Sequence, residues 1–311
     1  MKKIFLAFVA FVAFVALVCL GSFAKANEVA LTLENDIFGG TDRHYTHGTR
    51  ISFIQESYVG EKLDALSDVL FGELKADFVS LSLAQYMYSP SDITISELME
   101  NDRPYGGWLY LAATLFSRDQ VEIDILELET GIIGPYSYSD DTQKFIHSLI
   151  DSPEPMGWEH QVDSNIGINM VYHKKYRFRY RDAIDYIPYY GACVGNVHTY
   201  LNTGSMFRLG HNIPDDFGVY RIEPTIRALS SIGYYGFMDV NARYVAYNVF
   251  LDGHGNSHRV NKENFVGDLD FGAGIKVANL EFIYGYNIRT KEFKDQEEFN
   301  RFGTLIFSWE Y

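Results

Sequence analysis

Two polar side chains one helical turn apart carry the clearest chemistry in the chain. Gln143 and His147 lie at positions i and i+4 of residues 140–151, where apolar residues repeat at helical spacing. Histidine is the side chain most often used as a general base, and an amide can orient that base or a water molecule. The pair borders an apolar strip, so the pattern indicates a place where an ester meets water while its acyl chain stays dry. An amphipathic loop helix with an incidental histidine fits the same pattern.

The helix predicted over residues 140–151 must position this pair. Asp140 or Asp141 is expected to cap its N-terminus, and Pro153 with Pro155 to end it. The apolar face of this helix comprises Phe145, Ile146, Leu149 and Ile150. His147 therefore lies at the edge of an apolar face, which would let acyl chains pack beside it.

The start of the chain is typical of a secretory signal peptide. Two lysines precede an unbroken apolar run over residues 4–20, and an A-x-A cleavage site ends at Ala26. Cys19 also suggests a lipoprotein, but the bulky Val18 before it does not suit that processing site. We therefore predict a signal peptide over residues 1–26 and one exported domain over residues 27–311.

Composition narrows the class of the exported domain. The net charge of −15 leaves no basic stripe for a nucleic-acid partner. Cys193 is the single cysteine after the signal peptide, so no intramolecular disulfide forms, and no apolar run reaches the roughly 18 residues of a membrane helix. The domain is nevertheless rich in aromatic residues, with 23 Tyr and 23 Phe in the chain. This combination favours an outer-membrane β-barrel, because a bilayer demands that every backbone polar group be paired.

Alternating residues along the chain predict the strands of such a barrel. At the C-terminus the apolar or aromatic residues are Leu305, Phe307, Trp309 and Tyr311, and mostly polar residues lie between them. The same alternation recurs in residues 29–36, 79–84, 121–125, 166–170 and 282–286. We count twelve to thirteen candidate strands and predict twelve, because bacterial barrels close with an even number. A soluble β-sandwich also alternates, but the terminal aromatic strand favours an all-β transmembrane antiparallel barrel with short loop helices, one of them over residues 60–71.

Several motifs follow one another in a set order along the exported domain. They are ENDIF (34–38), DRHYTHG (42–48), DRPYGGW (102–108), the Gln143/His147 pair, GWEHQ (157–161), GN (195–196), and a segment from Thr199 to Gly210. In this order they resemble the lipid A 3′-O-deacylase (LpxR) family of bacterial outer-membrane enzymes. The resemblance covers essentially the whole of residues 27–311.

This resemblance implies a specific activity and a specific set of site residues. The implied enzyme is a twelve-stranded barrel that needs calcium and removes the 3′-linked acyloxyacyl group of lipid A, the lipid part of lipopolysaccharide. Its functional positions fall on Asn35, Asp36, Thr46, Gln143 and His147. A lysine is also associated with the family's active site, but the segment 89–101 contains none, so its position stays open.

The side-chain chemistry supports hydrolysis by an activated water molecule. No G-x-S-x-G motif marks a serine nucleophile, so His147 is expected to activate water that reaches it from the barrel lumen. Gln143 would orient the base or the water. Asp36 is a hard oxygen ligand for Ca²⁺, while Asn35 and Thr46 would bind the metal shell or the oxyanion. Without the resemblance, Asn35 and Asp36 would more simply be turn formers.

Two other functions remain open at this stage. An outer-membrane phospholipase A is also a calcium-dependent barrel, but it uses a serine–histidine pair on the outer wall, and we find no matching arrangement in the sequence. A porin-like barrel without enzymatic activity is the second alternative, although a porin would not need the Gln143/His147 helix. A closed barrel has no free strand edge that forces assembly, so we expect a monomer.

Overall fold

The computed structural model describes four stretches of the chain. These are residues 27–36, 44–56, 77–218 and 232–311. The predicted signal peptide over residues 1–26 and the predicted helix over residues 60–71 lie outside them. No helix in the described stretches is both long and apolar enough to cross a membrane.

Antiparallel strands make up most of the described chain. The strands are β1 (Glu28–Asn35), β2 (His44–Glu56), β3 (Phe78–Ser89), β4 (Gly106–Arg118), β5 (Glu122–Ile133), β6 (Asn165–Tyr176), β7 (Phe178–Tyr180), β8 (Ile184–Gly195), β9 (His198–His211), β10 (Gly233–Asn248), β11 (Phe265–Val277), β12 (Leu280–Arg289) and β13 (Asn300–Glu310). Two α-helices accompany them, α1 (Ser139–Ile150) and the four-residue α2 (Val249–Asp252).

The strands close into a ring. Each strand pairs with its neighbour in sequence, and β1 pairs with β13 to join the two ends of the sheet. Both β6 and β7 pair with β8, so they form a single strand that is interrupted at Arg177. The thirteen strand segments therefore make twelve barrel strands. This confirms the predicted twelve-stranded antiparallel barrel.

Side chains alternate between the two faces of the wall, as the sequence predicts. In β13, Ile306 and Ser308 are buried inside the barrel, whereas Phe307 and Trp309 are exposed on its outside. In β1 the even-numbered residues point inward and the odd-numbered residues point outward. The outward positions carry apolar side chains on most strands, which gives the barrel the apolar outer band of a membrane protein.

The barrel interior is polar and largely filled. The guanidinium of Arg50 donates two hydrogen bonds to the carboxylate of Glu127, at 2.7 and 3.1 Å. Arg208 pairs with Asp185 at 2.6 Å further along the lumen. A cavity of about 190 Å³ remains in the lumen, and Arg50 is among the residues that line it. A polar interior beneath an apolar outer band is the arrangement expected of an outer-membrane barrel.

The two ends of the barrel differ in their connections. Among the described residues, one end holds the start of β1, the end of β13 and the short turns 119–121, 181–183 and 278–279. The other end carries the longer connections that follow β3 and β5, and α1 belongs to the second of these. We call this second end the loop end.

Candidate active site

The helix α1 forms where the sequence predicts it, but its N-terminus is capped differently. Tyr138 is the N-cap residue, with a left-handed φ of 55° and no side-chain hydrogen bond, so the prediction of Asp140 or Asp141 as the cap is wrong. Both aspartates lie in the first turn instead, where their negative charge interacts favourably with the helix dipole. The helix ends at Ile150, shortly before Pro153, as predicted.

The buried face of α1 is its polar stripe. Ser139, Gln143 and His147 recur every fourth residue and are all buried. The apolar side chains point away from the barrel: Phe145 is 62% exposed and Leu149 is 68% exposed. The helix therefore presents its polar groups to the wall and its apolar face to the surroundings.

The helix packs against the outside of the barrel. On β4, Trp108 and Tyr110 point into the lumen. Side chains alternate along a strand, so the neighbouring Gly107 faces outward. A Cβ atom at Gly107 would lie 2.1 Å from Oγ of Ser139, so only glycine allows this close approach. On β3 the outward-facing Gln85 donates to the carbonyl of Ser137 at 2.7 Å. The expectation that water reaches His147 from the lumen is therefore wrong, because the barrel wall separates α1 from the lumen.

His147 is held in one tautomer by a backbone group. Its Nδ1 atom lies 2.6 Å from the carbonyl oxygen of Pro153. A carbonyl can only accept, so Nδ1 carries the proton and donates it, which leaves Nε2 of the neutral ring as an acceptor. This is the state that a general base requires.

Gln143 is buried one turn before His147 and is bonded through its oxygen. Its Oε1 atom accepts a hydrogen bond of 2.8 Å from the indole Nε1 of Trp158. Its Nε2 atom is buried without a hydrogen-bond partner among the described residues. Trp158 begins a 3-10 turn and packs against Tyr105 with ring centroids 4.7 Å apart. The sequence reasoning missed Trp158, although the GWEHQ motif contains it.

Asn35 and Asp36 lie where β1 ends at the loop end. Asn35 is the last residue of the strand and pairs in register with His47 of β2. Its Nδ2 atom lies 3.4 Å from Nδ1 of that histidine. Alternation places Asn35 on the outward face, and Asp36 follows it as a buried carboxylate. His47 belongs to the DRHYTHG motif, but nothing in the sequence predicted this contact.

A β-bulge positions Thr46. Tyr45 pairs with Tyr88 and His47 pairs with Met87, so Thr46 is an extra residue in β2. The bulge changes which residues face inward, as bulges beside functional sites often do. Thr46 forms a side-chain hydrogen bond with Ser89 across the strand pair.

All five predicted site residues lie in one sector of the loop end. Asn35, Asp36 and Thr46 belong to β1, β2 and the adjoining turn, while Gln143 and His147 belong to the helix that covers β3 and β4. These four strands are consecutive neighbours in the barrel. Among the described residues no cluster of three or more His, Cys, Asp or Glu side chains is arranged to hold a metal ion. The arrangement places a base and an amide donor on the outer wall, with the oxygen-bearing side chains of Asn35, Asp36 and Thr46 at the ends of the neighbouring strands β1 and β2.

The fold and this sector define an outer-membrane β-barrel with an amphipathic helix packed on its outside. The family model for outer membrane protein LpxR matches residues 4–311, so the chain belongs to that family and is a protein of the bacterial outer membrane. The family prediction made from the motifs is thereby confirmed. A search of curated proteins found no match.

A solved structure of the same family shows the same fold. LpxR from Salmonella typhimurium is 21% identical and has a TM-score of 0.76, over 91% of this chain and 100% of that chain. The beta domain of the Bordetella autotransporter BrkA is 8% identical, with a TM-score of 0.46 over 92% and 99% of the two chains. The translocator domain of the autotransporter NalP from Neisseria meningitidis is 9% identical, with a TM-score of 0.42 over 91% and 87%.

Proposed function

We propose that this protein is a lipid A 3′-O-deacylase, an ester hydrolase of the outer membrane. One observation carries the proposal. His147 is held in a single tautomer and is buried on the face of α1 that packs against the outside of the barrel wall. A site on the outside of a membrane barrel is accessible to lipids within the same leaflet. Membership of the LpxR family supports lipid A as that lipid.

The exposed face of α1 supports a substrate with long acyl chains. Phe145, Leu149 and Ile150 are at least half exposed, and they continue the apolar outer band of the barrel at the loop end. Long loops of outer-membrane barrels lie on the cell surface, so α1 at the loop end would lie at the level of the outer leaflet. Acyl chains can then remain in lipid while the ester reaches the polar stripe of the helix.

The chemistry needs only a water molecule as the nucleophile. Nε2 of His147 accepts a proton as the water oxygen attacks the ester carbonyl, and the tetrahedral intermediate carries the negative charge on the former carbonyl oxygen. When the intermediate collapses, the bond to the sugar oxygen breaks and the imidazolium returns its proton to that leaving oxygen. The products are the 3′-hydroxyl of the sugar and a free acyloxyacyl acid, which then releases its proton to solvent as a carboxylate.

Calcium is part of the proposal as a bound cofactor. The carboxylate of Asp36, the amide oxygen of Asn35 and the hydroxyl of Thr46 are hard oxygen donors at one end of β1 and β2, and calcium prefers such ligands. This donor set fits calcium, and these residues would hold it together with backbone carbonyls. Bound calcium would polarise the ester carbonyl and stabilise the developing oxyanion.

Mass spectrometry of lipid A tests the proposal directly. Cells that express the chain should lose a 3′-linked acyloxyacyl unit from their lipid A, whereas cells that express His147→Ala should not. Release of fatty acids from phospholipids with intact lipid A would instead indicate a phospholipase. Unchanged lipids together with increased solute uptake would indicate a porin.

A further inference from the structure

The side-chain amide of Gln143 uses only one of its two polar groups in hydrogen bonds among the described residues. Its carbonyl oxygen accepts from the indole of Trp158 at 2.8 Å, while its NH₂ group is buried without a partner among the described residues. A buried donor without a hydrogen-bond partner destabilises the folded state. In an ester hydrolase site, the acceptor for this NH₂ group would be an oxygen of the bound substrate.

Trp158 determines which way the amide points. An indole N–H can donate but cannot accept, so the atom that faces it must be the amide oxygen. The indole itself has little freedom, because Trp158 is buried in a cluster with Met87, Ile93 and Tyr105 on the outward side of β3. The orientation of Gln143 is therefore set before any substrate binds.

This orientation changes the role of Gln143. With its oxygen facing the indole, the hydrogen-bonding group of Gln143 that lacks a partner among the described residues is its NH₂, so the side chain presents a donor to the site. It shares the buried stripe of α1 with His147, one turn away. A preoriented hydrogen-bond donor one helical turn from the base can stabilise the ester oxygen on which negative charge develops.

We propose that Trp158 is a positioning residue, which orients Gln143 so that its NH₂ group donates to the oxyanion of the ester. The inference rests on the proposed ester hydrolysis and adds two roles to it. Gln143 stabilises the transition state, and Trp158 acts only through Gln143. Any ester that reaches the site has its carbonyl oxygen directed to the Gln143 side of His147.

The test uses Trp158→Phe, which keeps an aromatic ring against Tyr105 but removes the N–H group. The full-length protein in detergent is assayed on purified lipid A, and folding is checked by the gel shift between unheated and boiled samples. Loss of an oxyanion donor costs roughly 10²–10³-fold in kcat. We expect Trp158→Phe to lower kcat by about tenfold or more, since the amide is freed to turn, and to leave KM nearly unchanged.

A double-mutant cycle separates positioning from general support of the structure. Trp158→Phe should lower kcat no further once Gln143→Ala is present, because there is no amide left to orient. Trp108→Phe is the matched control: Trp108 is equally buried, and its indole nitrogen has no hydrogen-bond partner among the described residues. This control should retain wild-type kcat.

Gln143→Glu provides an independent test that does not depend on the tryptophan. A carboxylate accepts from the indole but cannot donate, so kcat should fall at least as far as in Gln143→Ala. Near-normal activity of Gln143→Glu would overturn the donor role, and multiplying losses in the double mutant would overturn the positioning role. An inactive wild type would instead count against the proposed function, which keeps the two failures distinct.

Discussion

The imidazole of His147 is tied to the carbonyl oxygen of Pro153, 2.6 Å from Nδ1, by a contact that spans the end of α1. The uncharged carbonyl orients the ring without adding a second charge beside it. The residue that helps to end the helix is therefore also the residue that selects the tautomer of its histidine. The turn after α1 therefore both ends the helix and orients the proposed base.

Replacing His147 should remove the proposed base. Because general base catalysis contributes about 10²–10⁴-fold, His147→Ala and His147→Asn should each lose activity by that factor, or roughly 3–5.5 kcal/mol of barrier. Deacylation of purified lipid A, measured as kcat/KM, checks this. His211→Ala is the control, since His211 lies at the end of the barrel remote from α1. Activity within a few-fold of wild type in both His147 variants would show that water is activated in another way.

Calcium dependence should follow Asp36. Chelation should abolish deacylation, and calcium should restore it better than magnesium, because a flexible oxygen cage suits the larger ion. Asp36→Ala should fold but be inactive at calcium concentrations that saturate the wild type, and calorimetry should show weakened calcium binding. Asp140→Ala, on the first turn of α1, is a control that should bind calcium normally. Full activity in excess chelator would leave Asp36 as a turn residue.

Thr46 should matter for its hydroxyl group and not for its shape. Thr46→Ser keeps the hydroxyl that bonds Ser89, whereas Thr46→Val keeps the branched shape but removes this hydroxyl and leaves the Ser89 hydroxyl without its present partner. We expect Thr46→Ser to retain most of the activity and Thr46→Val to lose at least tenfold in kcat. Equal activity of the two variants would reduce Thr46 to a residue that shapes the bulge.

The exposed apolar face of α1 should contribute to substrate binding in membranes. Phe145→Ser combined with Leu149→Ser removes apolar surface that acyl chains would cover, so KM for lipid A in vesicles should rise about tenfold, or about 1.4 kcal/mol, with kcat little changed. Phe265→Ser is the matched control, because Phe265 is 77% exposed on β11, on the opposite side of the barrel from β4. An unchanged KM in the double variant would show that α1 does not contact the acyl chains.

The connection between β12 and β13 should loosen in acid through Glu292. Burial favours the neutral carboxyl, but Arg289, Arg103 and Arg243 outweigh it and lower the pKa of Glu292 below its usual range. Its oxygen accepts from Arg103 at 3.2 Å and from Asn300 at 2.8 Å. A lowered pKa stabilises the folded state above the ordinary pKa of glutamate, and this contribution is lost as the pH falls through the folded value.

Urea unfolding at several pH values measures this contribution. The unfolding midpoint of the wild type should decrease as the pH falls below about 4, and Glu292→Gln should remove part of that dependence. The exposed Glu159→Gln is the control and should leave the pH profile unchanged. An identical pH profile for wild type and Glu292→Gln would exclude Glu292 as the source.

The sequence by itself determined the faces of the strands, their number and the presence of α1. Strand alternation and helical spacing are local periodicities, so Phe307 and Trp309 could be assigned to the outer face and residues 140–151 to a helix without a structure. The predicted N-cap failed because capping depends on backbone angles, and the left-handed Tyr138 took the place of Asp140.

The tertiary structure alone decided on which side of the wall the site lies. The path of the connection after β5 carries α1 to the outside, and the bulge at Thr46 changes the register of β2, neither of which leaves a periodic signal. The contact between Trp158 and Gln143 joins residues from separate elements of one long connection, so spacing along the chain could not predict it. Periodicity describes how one element meets its surroundings, whereas a site between elements depends on how the loops bring them together.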